Sequence, residues 1–277
     1  MNFSLGIDQM FRQRLPFMKL SRFRPCIDLH DGVVKQIVGG SLTDNGAGPK
    51  ENFVSDRSPK SYAELFQTDG LTGGHVIKLG PGNEEAAREA LAAWRGGLQI
   101  GGGMNRTNAS EWLEAGASHV IVTSSVFDKD GRFLEDELAA LSAEVGSDRV
   151  VLDLSCKRSG EGWTVAMNRW QTPTNLDVTP ESLTYLSQYC DEFLIHAADV
   201  EGLCGGMDEE LVTLLGCWSQ SHVNTPVTYA GGIVSMQEVD KIQKLSAGTI
   251  HFTVGSALDL FGGSGLSYAD LVGRHTV

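Results

Sequence analysis

Apolar residues in this chain gather into short continuous runs, separated by stretches in which they recur at helical spacing. Runs at 24–29, 75–80, 97–101, 119–124, 150–155, 192–197, 226–230 and 250–255 are bounded by glycine, proline or polar clusters and read as eight strands. Most are apolar throughout rather than alternating, as strands of a parallel sheet covered on both faces must be. Between them, 58–69, 84–94, 107–115, 132–145, 180–189, 208–218 and 235–245 carry helical periodicity and cap residues. A βα order repeated eight times predicts an α/β fold, a (βα)8 barrel of the TIM type, with functional residues at the carboxyl ends of its strands. A doubly wound open sheet that holds a dinucleotide needs an early G-x-G-x-x-G turn, and none follows the first strand.

The pattern occurs twice. Asp28 and Asp153 each end an apolar run, 125 residues apart; Gly102 and Gly231 each follow a later one, 129 residues apart. The third and fourth strands end in Gly101-Gly102-Gly103 and Thr123-Ser124, the seventh and eighth in Gly231-Gly232 and Gly255-Ser256. A near-constant offset of this kind is what doubling of a four-strand unit leaves behind, so the barrel is expected to consist of two similar half-barrels. Residues 24–277 then form one catalytic domain. Residues 1–23, which contain Arg12, Arg14, Lys19 and Arg22 against Asp8 alone, form an extension read as a disordered lead-in or an organelle-targeting remnant.

Two connections exceed their neighbours in length, 32–57 after the first strand and 156–179 after the fifth. Both lie beside an aspartate, and the second carries Trp163 and Trp170, a composition that suits a mobile cover over a ligand; Trp163 is taken as a binding residue.

Composition narrows the partners. A formal charge of -13 without a Lys/Arg cluster argues against nucleic acid or an anionic membrane surface. It leaves phosphate open, because backbone N–H groups at glycine turns hold anions locally. Five scattered cysteines, odd in number and without a C-x-x-C pair, indicate neither a disulfide framework nor a metal site, and a reducing compartment, the cytoplasm, is expected, or a plastid in a plant-like host. No apolar stretch approaches the ~20 residues that span a bilayer.

In an eight-stranded barrel the first and fifth strands face each other, so Asp28 and Asp153 address opposite sides of one bound molecule. One can take a proton while the other gives one, provided their surroundings separate their pKa values; which does which stays open at this stage. Gly102, Gly103, Thr123 and Ser124 form one candidate phosphate cradle, and Gly231, Gly232, Gly255 and Ser256 form the second. Two cradles with two carboxylates between them predict a small bisphosphorylated substrate stretched across the mouth. The sixth strand adds His196, Asp199 and Glu201 to the same rim. Nucleophile-elbow, P-loop and dinucleotide motifs are absent, which leaves proton transfer on a phosphosugar, without cofactor or metal, by a protein expected to be a monomer.

These residues resemble a known family, the phosphoribosylformimino-aminoimidazole carboxamide ribotide isomerases of histidine biosynthesis, in their fungal and plant form. The resemblance covers about residues 24–263 and rests on Cys26-Ile27-Asp28-Leu29-His30, Val34-Lys35-Gln36-Ile37-Val38-Gly39, His75-Val76-Ile77-Lys78-Leu79-Gly80 and Leu98-Gln99-Ile100-Gly101-Gly102-Gly103. It continues in Val151-Leu152-Asp153-Leu154-Ser155-Cys156, Ala198-Asp199-Val200-Glu201-Gly202, Tyr229-Ala230-Gly231-Gly232 and Thr253-Val254-Gly255-Ser256-Ala257-Leu258-Asp259. It implies an Amadori rearrangement of an aminoaldose to an aminoketose, with Asp28 matching the family's base and Asp153 the aspartate assigned as acid. Asp199 and Glu201-Gly202 are the nearest equivalents of an Asp-Gly pair given the acid role in bacterial members, one residue short in spacing. Those members also carry an arginine soon after the third-strand glycines, where Met104-Asn105 here precede Arg106. The rival readings are the sister cyclase barrel of the same pathway, which needs ammonia, and a non-catalytic phosphosugar-binding barrel.

Overall fold

A computed structural model describes residues 19–37, 51–168, 170–201, 203 and 205–275. Residues 1–18 of the N-terminal extension, 38–50 of the first long connection, and Gly202 lie outside them.

The described chain forms thirteen strands and eight α-helices. In order they are β1 (Cys26–His30), β2 (Val33–Ile37), β3 (Glu51–Val54), α1 (Pro59–Thr68), β4 (Gly74–Lys78), α2 (Glu84–Ala93), β5 (Leu98–Gly101), α3 (Ala109–Ala115) and β6 (Val120–Val122). There follow α4 (Glu135–Val145), β7 (Val150–Asp153), β8 (Cys156–Ser159), β9 (Gly162–Met167), β10 (Thr172–Asp177), α5 (Pro180–Leu186) and β11 (Glu192–His196). The chain ends in α6 (Glu209–Ser221), β12 (Val227–Ala230), α7 (Met236–Leu245), β13 (His251–Phe252) and α8 (Tyr268–Gly273).

Eight of the strands pair in parallel and in chain order, β1-β4-β5-β6-β7-β11-β12-β13. The last meets the first: Arg24 N donates to Phe252 O at 2.8 Å and Phe252 N to Arg22 O at 3.0 Å, beside a parallel bridge between Phe23 and Phe252. The sheet therefore closes into the expected (βα)8 barrel, and each barrel strand lies within a few residues of a predicted run. Helices bury their apolar stripes on its outside, as Ala87, Ala90 and Leu91 of α2 and Leu211, Val212 and Leu215 of α6 do.

Alternation along β1 and the residues just before it points Arg24, Cys26 and Asp28 into the barrel. At the amino ends of the strands the interior is polar: the Arg24 guanidinium pairs with Glu192, which also accepts from Gln99 at 3.0 Å and Thr228 at 2.8 Å. Above this plug, Ile121, Val151, Leu194 and Ala230 pack as a small apolar layer. The carboxyl ends of the strands above that layer hold the acids and histidines.

The described parts of the two long connections form regular strands. After β1 the chain turns back at once, so that β2 pairs antiparallel with β1 and β3 with β2. After β7 it forms a separate three-stranded antiparallel sheet, β10-β9-β8. Along these described strands backbone pairing satisfies the polar groups, which is why polar sequence there does not mean irregular structure.

Candidate active site

Two cavities open at the carboxyl ends of the barrel strands. The first, about 490 Å³, is walled by Asp28, Gln36, His75 and Glu201 and by the second-half cradle Gly231, Gly232, Gly255 and Ser256. The other, about 1190 Å³, is walled by Asp153 and Ser155, the first-half cradle Gly102, Gly103, Thr123 and Ser124, and Met167, Asn168 and Trp170 of the fifth-strand sheet. His196, last residue of β11, lines both.

The cradles match in conformation as well as sequence. Gly102 and Gly103 have φ of 88° and 75°, Gly231 and Gly232 of 128° and 70°, all left-handed values that glycine adopts without strain. A Cβ on Gly102 would stand 2.1 Å from Lys78 O, so the turn is also packed too closely for a side chain. Gly255 has a second function: a Cβ there would lie 2.3 Å from Gln36 Oε1. The glycine leaves room for Gln36, whose Nε2 donates to Asp28 Oδ2 at 2.8 Å. The hairpin after β1 also reaches this cradle, where Asn52 Nδ2 donates to Ser256 Oγ at 3.0 Å.

The two aspartates sit in opposed surroundings. Burial pushes the Asp28 carboxyl up, and the Gln36 hydrogen bond and the charge of His196 only partly offset it. Burial also acts on Asp153, but there His196 and hydrogen bonds from Ser155 and Thr123 outweigh it and hold the carboxyl below its ordinary range. His196 Nδ1 lies 3.0 Å from Asp153 Oδ1, and Ser155 Oγ donates to the same oxygen at 2.8 Å. Against its own desolvation, Asp153, with Glu201 and Asp28 further off, raises His196 to about 9. At neutral pH Asp153 is therefore ionised and the proton sits on His196. Burial raises Glu201 as well.

Asp199 is not brought to the mouth. Its Oδ2 accepts from Arg158 N at 2.7 Å, on the exposed side of the rim, and it lines neither cavity. Trp163 is likewise placed elsewhere: it is buried in β9, donates from Nε1 to Asp208 Oδ2 at 2.8 Å, and carries the Arg158 guanidinium 4.4 Å above its ring. Trp170 lines the cavity instead, 6.3 Å from His196 between ring centroids. Trp170→Ala should therefore raise KM about three- to fifteenfold, the loss of one aromatic wall. Trp163→Phe should leave KM alone and lower the unfolding midpoint; steady-state kinetics beside denaturant titration separate the two.

Sequence reading passed over Gln36, His75, Ser125 and Trp170 as site residues. Ser125 lines the Asp153 cavity, and its buried hydroxyl has no hydrogen-bond partner among the described residues. Arg106 pairs with Glu144 at 3.1 Å and lines neither cavity, so the first-half cradle draws on backbone and hydroxyls rather than on that arginine.

Residues 22–263 match the family described as Histidine biosynthesis protein. A Yarrowia lipolytica protein named 1-(5-phosphoribosyl)-5-((5-phosphoribosylamino)methylideneamino) imidazole-4-carboxamide isomerase is 54% identical over 256 residues, covering 91% of this chain and 97% of that protein. The Saccharomyces cerevisiae protein of the same name is 49% identical over 253 residues, covering 91% and 97%. One from Medicago truncatula, named as chloroplastic, is 47% identical over 260 residues, covering 92% and 81%.

Proposed function

This chain belongs to the histidine biosynthesis protein family, and we propose that it is the aldose–ketose isomerase its relatives are named for, converting the phosphoribosylformimino aminoaldose to the phosphoribulosylformimino aminoketose. The observation that carries the reading is the pair of glycine-walled cavities, each with its own aspartate, joined by His196. A substrate with a phosphate at each end fits such a doubled mouth, the cradles holding phosphates through N–H groups and hydroxyls.

Ring opening requires a proton on the sugar ring oxygen as its bond to C1 breaks, which leaves a Schiff base. The His196–Asp153 pair gives that proton, His196 carrying it and Asp153 orienting and stabilising the imidazolium. Asp28 then removes the C2 proton; the resulting enolamine takes up a proton at C1 while its C2 hydroxyl releases one, and becomes the ketose. A base buried enough to be raised, yet held for use by Gln36, is tuned for that step. Glu201, raised and lining the Asp28 cavity, is the second candidate donor. The substrate is the sole partner in this reading, which needs no cofactor. Free Cys26, Cys156, Cys190 and Cys217 fit a reducing compartment, the cytoplasm, and a monomer is expected.

Incubating the purified protein with the aminoaldose, without metal or ammonia, should yield the ketose by chromatography. Consumption of the ketose only on adding ammonia would mean the cyclase, and tight binding without turnover a carrier.

The pH profile follows from the signs. The base works ionised, so kcat/KM falls as pH drops through the raised pKa of Asp28, above the ordinary carboxylate range. The acid works protonated, so kcat/KM falls as pH rises through about 9. In His196→Gln the alkaline limb near 9 should vanish; its persistence there would transfer the donor role to Glu201.

A further inference from the structure

Beside the proposed base Asp28 stand two buried side chains, Cys26 and His75, that the proton transfers do not use. Cys26 and Asp28 are two residues apart on β1 and share its inward face, and the β1–β4 register sets His75 directly beside Cys26. The Cys26 sulfur, a carboxylate oxygen of Asp28 and a ring nitrogen of His75 all lie within 4.8 Å of one another. Cys26 and His75 are buried, at 4% and 3% exposure, and all three wall the smaller cavity.

We propose that Cys26, Asp28 and His75 form a three-ligand site for a thiophilic divalent cation of the zinc class, entered through the mouth of the barrel, whose occupancy takes Asp28 out of use. The donor set selects this class: one thiolate, one imidazole and one carboxylate suit zinc-like ions, whereas magnesium and calcium favour oxygen alone. Ligands about 2.0–2.3 Å from one ion stand roughly 3.3–3.8 Å apart, so side-chain rotations of about 1 Å assemble the site.

Each ligand can turn to an ion, and Cys26 Sγ holds long contacts, to Val254 O and from Gln36 Nε2, both at 3.8 Å. His75 is neutral, since burial and the charge of His196 depress it to about 3, and no hydrogen bond holds its ring among the described residues. Gln36 occupies Asp28 Oδ2 and leaves the other oxygen for the ion, acting as the outer partner that fixes a metal-binding carboxylate. The Cys26 thiol gives its proton to solvent as the metal–sulfur bond forms; burial and Asp28 oppose ionisation, and the dication supplies the missing counter-charge. Three protein ligands leave a fourth position for water. Thr253 Oγ1 lines the same cavity beside Cys26 and can pair with that water.

Metal-free protein titrated with Co2+ should develop a thiolate-to-cobalt band in the near ultraviolet that Zn2+ displaces. The band should persist in Cys217→Ser, be lost in Cys26→Ser, and require about tenfold or more Co2+ in His75→Gln. Zn2+ should also shield Cys26 of the unaltered protein from an alkylating reagent, read by peptide mass spectrometry, which needs no folded variant. No band in the unaltered protein, a band surviving in Cys26→Ser, or alkylation indifferent to Zn2+ overturns the site. The inhibitory consequence rests on Asp28 as base: Zn2+ should lower kcat and EDTA should restore it. Binding without inhibition would overturn that consequence and, with it, the assignment of Asp28, while leaving the cation site standing.

Discussion

Asp28→Asn is expected to lower kcat roughly a hundredfold to ten-thousandfold, or about 2.7–5.5 kcal/mol of barrier, with little change in KM. Asparagine keeps the shape of the side chain and can still pair with Gln36, so the cradles and the hairpin should stay in place; only the lone pair that accepts the C2 proton is lost. A second readout ties the loss to that step. In deuterated water the unaltered protein should exchange the substrate's C2 proton with solvent during turnover, and Asp28→Asn should not, as followed by mass spectrometry of recovered substrate and product. A tenfold rise in KM with kcat intact would instead make Asp28 a binding group.

The second large effect concerns the pair on the opposite side of the mouth. Asp153→Asn and His196→Gln should each cost kcat about a hundredfold or more, and the double variant little more than either alone. The reason is that one proton is held by two groups: Asp153 raises His196 to about 9 across 3.0 Å, and without Asp153 the buried imidazole loses its charge to desolvation. Residues that act as one unit are non-additive. Additive losses, or a Glu201→Gln variant that loses as much as either, would assign the proton to Glu201. Ser155, which donates 2.8 Å to the same Asp153 oxygen, should matter less, since its removal leaves the imidazolium in place.

Much of this arrangement is legible without coordinates. Continuous apolar runs such as Val150-Val151-Leu152 and Phe193-Leu194-Ile195 are buried on both faces in the barrel, which is why their lack of alternation reported parallel strands. The paired glycines were legible because backbone at positive φ leaves few other choices. Asp28 and Asp153 stood out because a carboxylate that closes an apolar run is costly to bury unless it has partners or work to do.

What escaped is of another kind. The antiparallel hairpin after β1 and the sheet β8–β10 have polar, mixed sequence, and only their mutual pairing makes them strands. Trp163 and Trp170 share one connection and similar neighbours; that one is packed under Arg158 and the other walls the cavity depends on which face of the folded sheet each meets. His196 was visible as a residue but not as the proton's holder, because its basicity comes from Asp153, 43 positions earlier in the chain.

The sequence by itself determined the barrel, its doubling and the two carboxylates, because these follow from local periodicity, backbone freedom and the cost of burying charge. The tertiary structure decided the pairings across the barrel: Gln36 on Asp28, His196 on Asp153, His75 beside Cys26, and Asp199 turned out of the mouth. Those depend on distances of a few ångströms between strands remote in sequence, and such distances set both the pKa of each group and the chemistry open to it.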